Sequence, residues 1–271
     1  MSMPNTTTSP TAVPAGMRAR ILAVTSGKGG VGKTFVSANL AAALVRQGER
    51  VLVLDADLGL ANLDVVLNLF PKITLHDVFT GKSTLDEAIL QAPGGFSVLL
   101  AGSGLVEYSR LTPEVRDKLL EIIQALAPRF DRILIDTGAG ISDVVLYAIS
   151  LAHEVLVVAT PEPTSLTDAY ATIKVLATQQ QRTSLSLAVN QVSRIGEGRV
   201  IRGQLQQVVD RFVTPTMADP SVAFRLELIG EIPSDTSVRE AVQRRQLLLE
   251  TFPGSEAAKG VSGMAARLAA S

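Results

Sequence analysis

The stretch Gly27-Lys28-Gly29-Gly30-Val31-Gly32-Lys33-Thr34 decides the fold. It follows an apolar run ending at Val24 and precedes a helical pattern from Phe35 to Arg46, so it joins a strand to a helix. It fits the pattern G-x-x-x-x-G-K-[ST], in which main-chain N–H groups wrap phosphate, the lysine reaches the β and γ oxygens, and the threonine hydroxyl binds Mg²⁺. Glycine is needed where the main chain must approach an anion in conformations that a Cβ resists. The following helix adds its positive N-terminal end to the same site. A glycine-rich turn with two incidental lysines would not bring the required strand and helix with it. Residues Gly27, Lys28, Gly29, Gly30, Val31, Gly32, Lys33 and Thr34 are therefore candidate nucleotide-binding residues, and Thr34 is also a candidate metal ligand.

Outward from this loop, short β-branched runs alternate with longer helical patterns, which marks a parallel sheet covered on both faces. The runs predict strands near 20–25, 50–54, 96–100, 131–136, 154–159, 184–190 and 226–232. Helices are predicted near 33–47, 84–91, 112–127, 141–152, 164–180, 197–213, 235–245 and 255–269. Thr112-Pro113 places proline at a first helical position, and Ser142 or Ser165 could cap a helix start. The fold class is α/β, a mostly parallel β-sheet flanked by helices on both faces. Ligands of such sheets bind at the carboxyl ends of the strands.

Two strand ends carry acids. Val51-Leu52-Val53-Leu54 leads into Asp55-Ala56-Asp57, and Arg132-Ile133-Leu134-Ile135 leads into Asp136-Thr137-Gly138-Ala139-Gly140. Carboxylates leaving buried strands are costly unless they meet a cation or a strong donor, and the nearest expected cation is the Mg²⁺ on Thr34. Asp136 then has the Walker B arrangement, holding Mg²⁺ or its water shell. Turns stabilised by aspartate side chains are the alternative at both places. A third strand end, Ala188-Val189-Asn190-Gln191-Val192-Ser193, bears on the base. Guanine readers of the N-K-x-D type need aspartate three residues after the asparagine; that position is Ser193, which favours ATP over GTP.

Composition narrows the classes further. The 271 residues carry a net charge of −1, 46% apolar residues, no cysteine and two histidines. The charge argues against a surface that coats nucleic acid generally, so no direct nucleic-acid partner is expected. The absence of cysteine excludes disulfides and Fe–S clusters, and His76 and His153 alone make neither a His-rich metal site nor a triad. Residues 1–17, rich in Thr, Ser and Pro, read as a disordered tail, and 18–271 as one domain. With no long apolar span, the chain is expected in the cytoplasm.

The loop with its extra lysine after the first glycine, Lys28, resembles the deviant Walker A ATPases of the MinD/ParA family. The resemblance covers nearly everything from Arg18 onward. It implies a homodimer formed with ATP and Mg²⁺, in which Lys28 crosses to the partner's nucleotide. By the same resemblance Asp57 orients the attacking water, Asp55 contacts Mg²⁺ through water, Asn190 touches adenine, and the Ile232-Pro233-Ser234-Asp235 loop packs on the base. For Asn190 an ordinary turn residue is the alternative. Lys28, Lys33 and Asp57 are thus the candidate catalytic residues; Thr34, Asp55 and Asp136 are the candidate metal ligands; and Asn190 and Pro233 join the loop in binding the cofactor. Pro161 to Tyr170 resembles a family segment at the dimer face, with Asp168 a contact, although a capped helix start explains the same residues.

Asp55 to Asp64, Asp136 to Asp143 and Pro163 to Tyr170 together resemble the FlhG branch of that family, also called FleN or YlxH, which governs the number and placement of bacterial flagella. That implies the FlhF GTPase, flagellar switch-complex proteins or a flagellar transcription activator as partners. MinD-type division-site positioning and ParA-type partition are the alternatives. Residues 1–20 contain no D-Q-A-x-x-L-R segment, the motif with which such proteins stimulate FlhF. Glu256 to Ser271 places Ala257, Val261, Met264 and Leu268 on one helical face. It reads as a final helix packed on the domain, with a peripheral membrane anchor at the inner face of the membrane as the alternative. Arg194, Arg199, Arg202 and Arg211, interleaved with Glu197 and Asp210, read as a solvated face rather than a basic binding surface.

Overall fold

The computed structural model describes residues 19–58, 62–102 and 110–270. The predicted tail at 1–17, and residues 59–61 of the first acidic stretch, lie outside the described residues. The strands are β1 (Arg20–Ser26), β2 (Val51–Ala56), β3 (Ile89–Gln91), β4 (Ser97–Leu99), β5 (Arg132–Ala139), β6 (Glu154–Ala159), β7 (Ser184–Val192) and β8 (Arg225–Pro233). Among the described residues they form one sheet in the order β3-β4-β2-β5-β1-β6-β7-β8. Every pairing is parallel except β3 with β4.

The sheet is buried on both faces because its strands alternate between two apolar layers. Ile21 and Ala23 of β1 face one layer with Ile133 and Ile135 of β5; Leu22, Val24 and Leu134 face the other. The first layer is completed by α5 (Pro113–Leu126), α6 (Asp143–Ser150), α7 (Pro163–Gln179) and α8 (Glu197–Phe212), the second by α1 (Lys33–Val45), α9 (Thr236–Gln243), α10 (Leu248–Thr251) and α11 (Glu256–Ala270). Proline opens α5 as expected, with the Thr112 hydroxyl accepting from the Val115 N–H at 3.4 Å. Ser142 caps α6, whereas Ser165 does not cap α7, which starts at Pro163; its hydroxyl accepts instead from the Thr160 N–H at 2.9 Å.

The helix predicted at 84–91 is corrected. Only α4 (Leu85–Ala88) is helical, and Ile89–Gln91 is the antiparallel edge strand β3. Gly94 and Gly95, both at φ +84°, turn the chain back, and the Ala92 N–H donates to the Phe96 carbonyl at 2.9 Å, so β3 reaches β4 as a hairpin. Two helices of five residues, α2 (Leu63–Leu67) and α3 (Leu75–Phe79), also escape the periodicity reading. A single turn is marked by its capping residues, such as Thr74 with Asp77 before α3, rather than by a repeat.

The last helix packs as expected. Ala257, Ala258, Val261, Met264, Ala265 and Leu268 of α11 are fully buried against the sheet side formed with α1 and β8. Its apolar face is therefore covered by the protein rather than presented to a bilayer. Among the described residues no helix is long and apolar enough to cross a membrane.

Candidate functional site

β1 lies between β5 and β6, so the loop leaving its carboxyl end is surrounded by other strand ends. That loop runs into α1 through Gly32 at φ +95°, whose carbonyl accepts the first helical hydrogen bond from the Val36 N–H at 2.9 Å. A Cβ at Gly32 would meet the Asn190 amide nitrogen at 2.4 Å, so both conformation and space require glycine here. Gly27 is held as tightly, since a Cβ there would meet the Asp168 main-chain carbonyl oxygen at 2.1 Å. Asp168 thus packs against the start of the loop within its own chain.

Above the loop lies a cavity of about 660 Å³, lined by Gly29, Gly30, Gly32, Lys33 and Thr34, by Asp57, and by Gly138 and Asn190. Its size suits a nucleotide-class ligand. Lys33 is buried; burial pushes its ammonium pKa down, and Asp136 and Asp57 oppose that shift. Asp57 is half-buried, close beside Gly138: a Cβ there would lie 3.4 Å from the Asp57 Oδ1.

Beneath the cavity, Asp55 and Asp136 are register partners on β2 and β5, both almost fully buried. The Ser37 hydroxyl donates to Asp136 Oδ1 at 2.8 Å, and the Thr34 hydroxyl also bonds this carboxylate. Burial raises the Asp136 pKa from 3.8 to about 6 against those hydroxyls and Lys33. Burial and then Asp136 push Asp55 well above the usual carboxylate range. Asp55 Oδ1 accepts from the Asp57 N–H at 3.1 Å, while its Oδ2 is buried with no hydrogen-bond partner. Two facing acids with an orphaned oxygen fit a divalent cation held by few protein groups. No group of three or more His, Cys, Asp or Glu among the described residues could cage one, so water and phosphate oxygens would complete its shell.

The raised pKa has a testable sign. Asp136 binds a proton in the folded chain where the unfolded chain has lost it, so its stabilising contribution is complete below pH 3.8 and lost as pH rises through about 6. Without metal and nucleotide, Asp136→Asn should match or exceed the native chain in melting temperature at pH 7.5. By pH 5 its advantage should shrink, as thermal melts at the two pH values would reveal.

Lys28 does not reach into the cavity. Its Nζ donates to Glu162 Oε2 at 3.2 Å and to Thr164 Oγ1 at 2.9 Å, so it is turned onto the start of α7 in its own chain. Val31 is buried, and its carbonyl accepts from Asn190 Nδ2 at 2.8 Å. Asn190 therefore buttresses the loop as well as lining the cavity, more than a turn residue would do. Pro233 does not line the cavity: its Cδ lies beside Gly260 of α11, and Val238 and Val242 of α9 take the lining position. Sequence reasoning missed Ser37, whose signal was its place one helical turn after Lys33. It also missed Val66, Val238 and Val242, which carry no motif.

A family model described as "AAA domain" matches residues 19–189. The chain is 43% identical to the protein named antiactivator FleN of Pseudomonas aeruginosa, over 92% of this chain and 86% of that protein. The chain belongs to the MinD/ParA family of P-loop ATPases. Within the family it is also 31% identical to the flagellum site-determining protein YlxH of Helicobacter pylori, over 92% of this chain and 81% of YlxH. The septum site-determining protein MinD of Pyrococcus horikoshii, solved in complex with Mg-ADP, superposes with a TM-score of 0.70 at 29% identity, covering 92% of this chain and 96% of that one. The sheet and its flanking helices are those of this fold.

Proposed function

We propose that the chain is an ATP-hydrolysing, Mg²⁺-dependent dimerising switch that regulates the number and placement of bacterial flagella. The observation that carries the chemistry is that Lys33, Thr34 and Asp57 line one cavity with the glycine loop, while the buried Asp136, register partner of Asp55, bonds the Thr34 hydroxyl and faces Lys33. The flagellar output is supported by likeness over nearly the whole chain to FleN and YlxH.

The main-chain N–H groups of 28–34 and the Lys33 ammonium neutralise the phosphates, and Asn190 keeps the loop in shape from below. When bound, Mg²⁺ supplies charge neutralisation at the β and γ oxygens, and Thr34, Asp136 and, through water, Asp55 would hold it. Asp57 accepts a hydrogen bond from the attacking water and sets its oxygen in line with the γ-phosphorus. The bond from that phosphorus to the β–γ bridging oxygen then breaks, with no covalent intermediate. Positioning and charge neutralisation suffice for this chemistry, so no cysteine or histidine nucleophile is needed. In the dimer Lys28 leaves Glu162 and Thr164 and reaches the partner's nucleotide. The cytoplasmic partners implied by resemblance are FlhF, switch-complex proteins or a flagellar transcription activator.

The test combines light scattering with a phosphate-release assay. Dimers should form with ATP and not with ADP. Asp57→Ala should keep the ATP-dependent dimer while turnover falls by about 10²-fold, the cost of a mispositioned reactant. Dimers formed equally with either nucleotide would sink the switch. In cells, loss of Lys33 should change the flagellar count; misplaced septa with a normal count would favour division-site positioning instead.

A further inference from the structure

A groove along the outer edge of the sheet shares no lining residue with the nucleotide cavity. Among the described residues β8 is the last strand of the sheet, so no described strand neighbours one side of its main chain. Arg199 and Arg202 of α8, Arg225 of β8 and Arg267 of α11 enclose a hollow of about 540 Å³ there, with Leu228 and a single acid, Glu227, completing its lining. In a chain of net charge −1, four guanidinium groups at one place make a local basic field. Arg199 and Arg225 are exposed, and neither has an ion-pair partner among the described residues.

The main chain of this edge is closed by side chains instead of a strand. Arg202 Nε donates to the Leu226 carbonyl at 2.7 Å; Gln206 accepts from the Leu226 N–H at 2.8 Å and donates to the Phe224 carbonyl at 2.9 Å. Arg267 donates to the Ile229 carbonyl. Long side chains of this kind can be displaced, and an edge whose hydrogen-bonding groups become free templates a further strand. A guanidinium has five N–H donors in a rigid fork that matches carboxylate.

We propose that this groove docks an extended acidic segment of a partner protein, laid along β8. The incoming main chain takes over the Leu226 and Phe224 groups from Arg202 and Gln206, and the four guanidinium groups turn to its carboxylates. Shape and charge select this occupant. The groove runs along the sheet edge between α8 and α11, and the Leu226 and Phe224 main-chain groups that Arg202 and Gln206 close there are matched by the backbone of an extended chain rather than by lipid headgroups. Residues 1–18 of this chain contain no Asp or Glu, so its own N-terminal stretch lacks the complementary charge.

The test is fluorescence anisotropy of a labelled octapeptide of alternating glutamate and valine against the full chain. Parallel arms use a lysine–valine octapeptide, phosphatidylglycerol vesicles and a short DNA duplex. The acidic peptide should bind, more weakly as salt rises, and should slow amide exchange along 225–229. Arg199→Glu with Arg225→Glu should weaken it at least ten-fold while ATP binding, which reports that the variant is folded, stays unchanged. Peptide binding that survives the double substitution, or no peptide binding at all, overturns the proposal. So does vesicle or duplex binding that the substitution abolishes in the absence of peptide binding.

Discussion

Lys33→Ala is expected to lose ATP by roughly 30- to 5,000-fold, the range for removing one member of a buried, hydrogen-bonded charge pair. Lys33 is the buried cation at the floor of the cavity, and its burial already lowers its affinity for a proton. Without nucleotide that buried ammonium is a desolvation cost, offset by Asp136 and Asp57. With nucleotide it meets phosphate. The variant should therefore separate two effects that a simple destabilising substitution would combine. Its melting temperature without ligand should change little, while the stabilisation by ATP, about 2.7 kcal/mol at a hundred times the native dissociation constant, should fall to about 1 kcal/mol or less at the same ATP concentration. Isothermal titration and thermal melts with and without Mg-ATP would measure both. An ATP-induced shift retained in full would remove Lys33 from the site. ATP-dependent dimers should disappear together with binding, since the proposed dimer closes around bound nucleotide.

What was legible in the sequence was whatever repeats or obeys a spacing rule. Gly27 to Thr34 follows β1 and the acids at 55 and 57 close β2, whereas β5 runs three residues past Asp136 to Ala139, so Asp136 lies within its strand; parallel register brings Asp55 beside it. The β1-loop-α1 unit and the long helices were equally readable, because their apolar periods persist over several turns. The short elements between residues 62 and 91 were not, although β4 at Ser97–Leu99 matches the strand expected near 96–100. Between 62 and 91 the chain changes state every few residues, and Ile89–Gln91 follows the four-residue helix α4 directly, with no glycine or proline between them to mark the change. The resting place of Lys28 on Glu162 and Thr164 was also out of reach. It depends on two loops separated by more than 130 residues in sequence and on side-chain rotamers that no pattern encodes. Pro233 shows the opposite failure. It was expected in a loop packing on the base, but it closes β8, α11 lies against it, and Val238 and Val242 of α9 line the cavity instead.

Arg132→Ala is expected to destabilise the fold by about 3–5 kcal/mol, the usual cost of breaking a buried ion pair from one side. Arg132 opens β5 with its side chain 2% exposed, and it holds Glu49 in a two-point contact, Nε to Oε2 at 2.7 Å and Nη2 to Oε1 at 3.1 Å. The same Nη2 donates to the Leu268 carbonyl at 3.1 Å, and Arg20 donates to that carbonyl at 3.3 Å. Leu268 lies in the last turn of α11, where carbonyls lack helical partners and the helix end is negative. One buried guanidinium thus ties the turn before β2, the start of β5 and the end of the final helix. Removing it leaves Glu49 unpaired at 19% exposure and opens a void where the side chain stood. Denaturant unfolding should show the loss, and the melting temperature should fall by on the order of 10 °C for a chain of this size. Pairing Arg132→Met with Glu49→Met separates charge from volume. If the uncompensated carboxylate carries the cost, that double variant should be markedly more stable than Arg132→Ala. If it is equally unstable, the tie to Leu268 is what matters, and amide exchange should then be fastest in the last turn of α11.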